Sequence, residues 1–202
     1  MPETNEEQTL PFFKPLWAIF MLAFMVFQVL SFITYNPFDI TFYTTSPNDP
    51  ILNYCGILGA YFTFAMVFSF GFASVILPFF SASLSWRLIR GDGWMYFLKW
   101  FFYLQISLIS LSGIFTLSLD SWTTPFLKTY QTFSAGGIVG KMLGGEICIT
   151  FIGKGASLFI FTTLFLFSLQ GIVHFSYLAA GKMIWKSLIL LLQYTQKGVS
   201  FL

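Results

Sequence analysis

Residues 16–34 read LWAIFMLAFMVFQVLSFIT, a run without a single charged side chain. At 1.5 Å of helix rise per residue, about 19 residues match the roughly 30 Å of a hydrocarbon core. Three further apolar runs follow, at about 56–80, 95–119 and 156–177. All six tryptophans, Trp17, Trp86, Trp94, Trp100, Trp122 and Trp185, fall at or near the ends of these runs. Indole is apolar enough to leave water yet keeps an N–H donor, so it collects at the headgroup layer. The pattern predicts an all-α membrane protein with four transmembrane helices.

Composition narrows the function. Only 9% of the residues are charged and 56% are hydrophobic, whereas an ordinary soluble domain carries roughly 25% charge. A net charge of +2 supplies no basic stripe for nucleic acid, and no direct DNA or RNA binding is expected. Cys55, Cys148 and the single His174 are scattered, which argues against a metal site. No cofactor is expected. Both cysteines would lie on the outer side, where a disulfide and two free thiols are both open readings.

The connections divide the chain. Residues 1–14 form a polar tail read as cytoplasmic, and Pro15 suits the first turn of the first span. Residues 35–55 hold the turn-forming pairs Asn36-Pro37, Ser46-Pro47 and Asp49-Pro50. The second span carries Pro78 near its far end, and its small residues Gly56, Gly59, Ala60, Gly71 and Ser74 permit close helix packing. The third carries Gln105, Ser107, Ser110 and Ser112. Residues 120–155 form a glycine-rich outer loop whose apolar middle is too short to span, so it reads as a short interfacial helix closed by glycines. Together 15–178 make one four-span domain. Beyond it, 179–202 read as an interfacial amphipathic helix and the start of a linker; the alternative, a fifth span, would carry Lys182 and Lys186 into hydrocarbon.

Cation placement orients the spans. With both termini in the cytoplasm, the inner side holds Lys14, Arg87, Arg90, Lys182, Lys186 and Lys197, with Lys99 just inside the third span; the outer side holds Lys128, Lys141 and Lys154. The positive-inside rule favours that arrangement.

Chemical motifs are scarce. Residues 135–142, AGGIVGKM, approach a phosphate-binding GxxxxGK[ST] loop, but Ala135 replaces its first glycine and Met142 its hydroxyl. Gln170 and His174, four apart, share a helix face and suit interhelical hydrogen bonds. A transporter or channel subunit is the alternative function, though a polar midplane site with a broken helix or a charge is not evident. Paired aspartates, a partnered serine nucleophile and an HExxH site are all missing, so an intramembrane protease is not expected.

Four short motifs in order carry a family resemblance: SFITYNPFD at 31–39, NYCGILGA at 53–60, SAGGIVG at 134–140 and FIGKGASLFIF at 151–161. The chain resembles the amino-terminal four-span membrane domain of FtsK/SpoIIIE-type DNA translocases from about residue 15 to 177. The resemblance implies a bacterial inner-membrane domain at the division septum that self-associates, meets division proteins, and anchors a DNA-pumping motor in cis or in trans. ATP hydrolysis does not carry over, since no intact Walker A loop is present; a fragment of a longer translocase and a free-standing anchor both remain open. Loop-shaping or partner-binding roles are expected for Asn36, Pro37, Asp39, Gly136, Gly137 and Gly140, and helix packing for Gly56, Gly59 and Ala60.

Overall fold

The computed structural model describes residues 10–42, 44–90, 94–119 and 134–173, together with 130 and 132. Within them the regular structure is entirely helical. Helix α1 covers Leu10–Ile33, α2 Gly56–Phe70, α3 Leu77–Ile89, and α4 Trp94–Leu119. A composite helix follows: α5 Gly137–Gly140, a π-helical stretch Lys141–Cys148 and α6 Ile149–Ile152; then comes α7, Lys154–Val173.

Among the described residues three tracts are long and apolar enough to cross a membrane: Pro15–Ile33, Gly56–Ile89 and Tyr96–Leu119. Burial inside the protein is 17% for the first and 44% for the last. The apolar side chains of α1 therefore need a solvent of their own kind, and α4 is the central helix. Helix α7, 20 residues long, packs against α4.

Interhelical contacts give the order α1, α3, α4, α7. Ser81 Oγ donates to Gln28 Oε1 at 2.9 Å and Ser85 Oγ to the Ala18 carbonyl at 2.7 Å, so α1 and α3 are antiparallel. Phe80 meets Trp100 edge-on and Arg87 lies over Tyr96, which sets α3 antiparallel to α4. Tyr103 meets Phe167, and a Cβ on Gly113 would touch Phe161, so α4 and α7 are antiparallel too. The core between α3 and α4 is Leu77, Phe80, Leu84, Trp100, Leu104 and Leu108.

The second apolar run is not one continuous helix over 56–80. Asn53 bonds the Ser31 carbonyl and Ser85 bonds that of Ala18, so 32 residues of chain run beside 13 residues of α1. As one straight helix the former would measure about 48 Å and the latter about 20 Å. The excess is absorbed at Gly71, where φ is 60° and ψ −137°, followed by a 3-10 stretch over Gly71–Ile76. Both ends of α2 consequently lie at one end of the bundle, near Ser31 of α1 and near the segment that packs on Thr116 of α4. Phe42 and Thr41 of the preceding loop meet Phe64 and Tyr61 in the middle of α2, as expected for a helix lying across the bundle end.

Two prolines also differ from expectation. Pro78 opens α3 at its second position, where a missing N–H costs nothing, instead of closing a span. Pro15 lies inside α1, which starts earlier, at Leu10; its ring nitrogen leaves one helical hydrogen bond unmade. Residues 1–9, His174 and the segment 179–202 lie outside the described residues.

Candidate functional site

Two polar constructions occupy the bundle end where α2 lies. The first is the loop after α1. Asn36 Oδ1 accepts from the Phe38 amide at 2.9 Å and caps a 3-10 turn, Pro37–Asp39, with Pro37 at its start. The turn delivers Asp39 inward, where it is 3% exposed. Its Oδ1 accepts from Asn48 Nδ2 at 2.8 Å and the Leu52 amide at 3.1 Å, and its Oδ2 accepts from the Asn53 amide at 2.9 Å. A buried carboxylate with several donors is the arrangement that offsets the loss of water.

Asn53 relays the constraint to the helices. Its Nδ2 donates to the Ser31 carbonyl at 3.0 Å, and its Oδ1 accepts from the Cys55 amide at 3.0 Å. Gly59 packs under this asparagine: a Cβ there would fall against Asn53 Oδ1, Cys55 Cβ and Ser31 Oγ. Ala60 beside it is fully buried. Gly56 serves another purpose. Nothing lies within 4 Å of a Cβ built on it, and its φ of 64° is what calls for glycine.

The second construction is a crossing of two broken elements. Residues 134–140 pass between the Gly71 break and α4. A Cβ on Gly71 would fall on the Ala135 carbonyl and 2.5 Å from the Gly137 nitrogen; one on Gly137, whose φ is 66°, would lie 2.6 Å from the Gly71 nitrogen. The Phe72 amide, released from the helix by the break, donates to the Ala135 carbonyl at 2.9 Å. On the other side, a Cβ on Gly136 would fall on the Ser112 carbonyl, and one on Gly140 would lie 2.5 Å from both that oxygen and Thr116 Oγ1.

Side-chain hydroxyls complete the crossing. Ser112 Oγ donates to the Gly136 carbonyl, and Thr116 Oγ1 pairs with Ser134 Oγ at 2.8 Å. Ser134 Oγ also accepts from the Gly136 amide at 3.1 Å. The stretch 135–142 is thus filled by α4 backbone where a phosphate would have to sit, and the nucleotide-loop likeness ends there.

The structure brings Asn36, Pro37, Asp39 and Gly59 into one cluster and Gly136, Gly137 and Gly140 into another. Sequence reading singled out Ser112 on the third span but missed the receiving partners Asn48, Asn53, Thr116 and Ser134, and missed Gly71 as a break. A polar residue inside an apolar run, as at Ser112 and Thr116, was the available signal for a buried hydrogen bond. Gln170 is exposed on α7. Both cysteines are free thiols, with Cys55 Sγ directed at the Phe27 carbonyl at 3.6 Å. Among the described residues no group of three or more His, Cys, Asp or Glu gathers around a point.

Comparison with known proteins falls on this same framework. The family described as the 4TM region of DNA translocase FtsK/SpoIIIE matches residues 11–185. DNA translocase FtsK of Pseudomonas putida is 27% identical over 158 residues, covering 73% of this chain and 18% of the relative, so the chain spans less than a fifth of that protein's length. No solved structure gives a significant match. The match runs from the start of α1 through both polar constructions to beyond the described end of α7, and the chain therefore belongs to the 4TM region family of FtsK/SpoIIIE DNA translocases.

Proposed function

We propose that this chain is the membrane-anchoring and septum-assembly domain of an FtsK/SpoIIIE-like translocase, serving cell division and chromosome segregation, with the DNA-pumping motor outside the membrane region. The observation that carries the reading is the family match across 11–185. It stands beside helices whose apolar faces are mostly left outside the protein core.

In this reading four segments cross the bacterial inner membrane with both termini cytoplasmic. They are α1, the 71–89 tract, α4 and α7. The 3-10 lead and α3 together extend about 31 Å, close to the thickness of a hydrocarbon core. Helix α2 and the composite helix 137–152 lie along the outer leaflet, and the two polar constructions hold them there. The domain self-associates in the bilayer and presents division proteins with its outer loops.

Time-lapse imaging tests the reading. The chain, fluorescently tagged at its amino terminus and expressed at native level in its own dividing bacterium, should form a band at the constriction site. Uniform membrane signal throughout division would sink septal targeting.

One observation favours the alternative of a small transporter or channel subunit: the broken helix at Gly71, a feature the sequence does not reveal. Against it, the hydroxyls of Ser112, Thr116 and Ser134 beside the break are bonded within the crossing itself. Solute or ion flux through reconstituted protein would support that alternative.

A further inference from the structure

Helix α7 has one face against α4 and another facing out. Ser157, Phe161 and Ser168 are buried, and the Phe161 ring packs on Gly113 of α4. Turned from them by one residue, Ala156, Ile160, Thr163, Phe167 and Gln170 are all exposed. Their alternating spacings of four and three residues are those of a seam along which a second helix packs.

Gln170 is out of place on a face that meets only lipid. Its neighbour Gly171 packs against the Tyr103 ring, and Phe167 meets that ring edge-on, so Gln170 lies at the depth of Tyr103. Tyr103 is two helical turns, about 10 Å, inside the apolar tract Tyr96–Leu119. At that depth a carboxamide has two N–H donors and a carbonyl oxygen to satisfy without water. Other polar groups of the helices are met inside the chain: Gln28 accepts from Ser81 at 2.9 Å, and Thr163 donates to the Phe159 carbonyl at 2.9 Å. Among the described residues nothing bonds the Gln170 carboxamide.

A second copy of the chain supplies the missing partner. Copies inserted in one membrane share one orientation, so their α7 helices run parallel. A two-fold axis along the membrane normal then sets Gln170 opposite Gln170 at equal depth. The carboxamide is both donor and acceptor, so the two side chains bond reciprocally. An unrelated helix would need a polar group of its own at that same depth.

We propose that α7 pairs with α7 of a second copy along Ala156, Ile160, Thr163, Phe167 and Gln170, with the two Gln170 carboxamides bonded to each other. The small side chains of Ala156 and Thr163 let the helices approach, and the glutamine pair fixes their register as a buried polar pair does in a coiled coil. The proposal rests on the reading of α7 as a crossing helix in a self-associating domain, and it names the surface that associates.

The test uses the full chain in phosphatidylcholine vesicles, part of it labelled with a donor fluorophore and part with an acceptor at the amino terminus. Energy transfer followed as lipid is added gives the dissociation constant in mole fraction. Gln170→Leu should weaken association on the order of three- to thirtyfold, the range of interhelical hydrogen bonds in a bilayer, with helical circular dichroism unchanged. Gln170→Asn, which keeps the carboxamide, should retain most of the association. In a Cys55→Ala/Cys148→Ala background, Thr163→Cys should give an intermolecular disulfide on oxidation with copper phenanthroline. Val26→Cys, at an exposed position of α1, should not.

Association unchanged by Gln170→Leu overturns the seam, as does a disulfide from Val26→Cys in place of Thr163→Cys, which would move the contact to α1. Either result leaves self-association itself standing. Absence of energy transfer by the unsubstituted chain at the highest protein content would remove self-association and the seam together. Septal targeting is read separately, by the imaging experiment.

Discussion

Gly71→Ala tests the interlock directly. An added Cβ would meet the Ala135 carbonyl and lie 2.5 Å from the Gly137 nitrogen, both backbone atoms that no rotamer change can move aside. The segment 134–137 must withdraw, and the Phe72 amide then loses its acceptor in an apolar surrounding. Overpacking of this kind costs about 1–3 kcal/mol, and a buried donor left unmet costs about 1–3 kcal/mol. Both come in addition to about 1–3 kcal/mol for a non-glycine residue at positive φ. Gly153→Ala is the matched control, because Gly153 also has a positive φ, 80°, but nothing lies within 4 Å of its Cβ. Reversible unfolding in mixed micelles of rising dodecyl sulfate fraction, followed by tryptophan fluorescence, should place Gly71→Ala about 2–6 kcal/mol below Gly153→Ala. Because Gly71 and Gly137 face each other, the Gly71→Ala/Gly137→Ala double variant should cost less than the two single losses added. Equal stability of the Gly71 and Gly153 variants, within about 1 kcal/mol, would refute the idea that two backbone breaks lock each other.

Two further outcomes check the loop after α1 and the cysteines. Asp39→Asn turns an amide N–H₂ toward at least one of the three N–H donors that now bond the carboxylate; it should lower stability by about 1–3 kcal/mol in the same unfolding assay, and an unchanged midpoint would remove Asp39 as the hub of the loop. Non-reducing mass analysis after maleimide labelling of unfolded protein should find both Cys55 and Cys148 modified, as their free thiols require; protein purified from cells with both positions unmodifiable until reduced would establish a disulfide instead.

The long apolar helices were the legible part. Helices α1, α4 and α7 follow long apolar runs, and no loop geometry is needed to find them. The pair Asn36-Pro37 was legible as a turn because a capping side chain and a fixed φ act locally, within three residues. Glycine was legible only as a type. Gly56 is needed for positive φ, Gly59, Gly136 and Gly140 because other atoms occupy the space of a Cβ, and Gly71 and Gly137 for both reasons. Nothing in the neighbouring residues separates the two causes, since the second depends on a partner far along the chain. Asp39 is the same case: its donors come from residues 48, 52 and 53, and only the fold brings them together.

The break at Gly71 escaped the sequence for a deeper reason. Hydropathy records which solvent a residue prefers, and an apolar run prefers lipid whether it crosses the bilayer or lies along it. Direction is set by where backbone hydrogen bonds can be completed. In hydrocarbon a helix may break only where another group accepts the freed amide. Here the acceptor is the Ala135 carbonyl, which is available because residues 134–137 are themselves out of helix, held by Ser112, Thr116 and Ser134. The segment 134–137 thus supplies the acceptor that the break at Gly71 requires. The bundle is consequently asymmetric along its axis. One end is fixed by reciprocal backbone contacts and buried hydrogen bonds, while the other presents Arg87, Arg90 and Lys99 among exposed tryptophans.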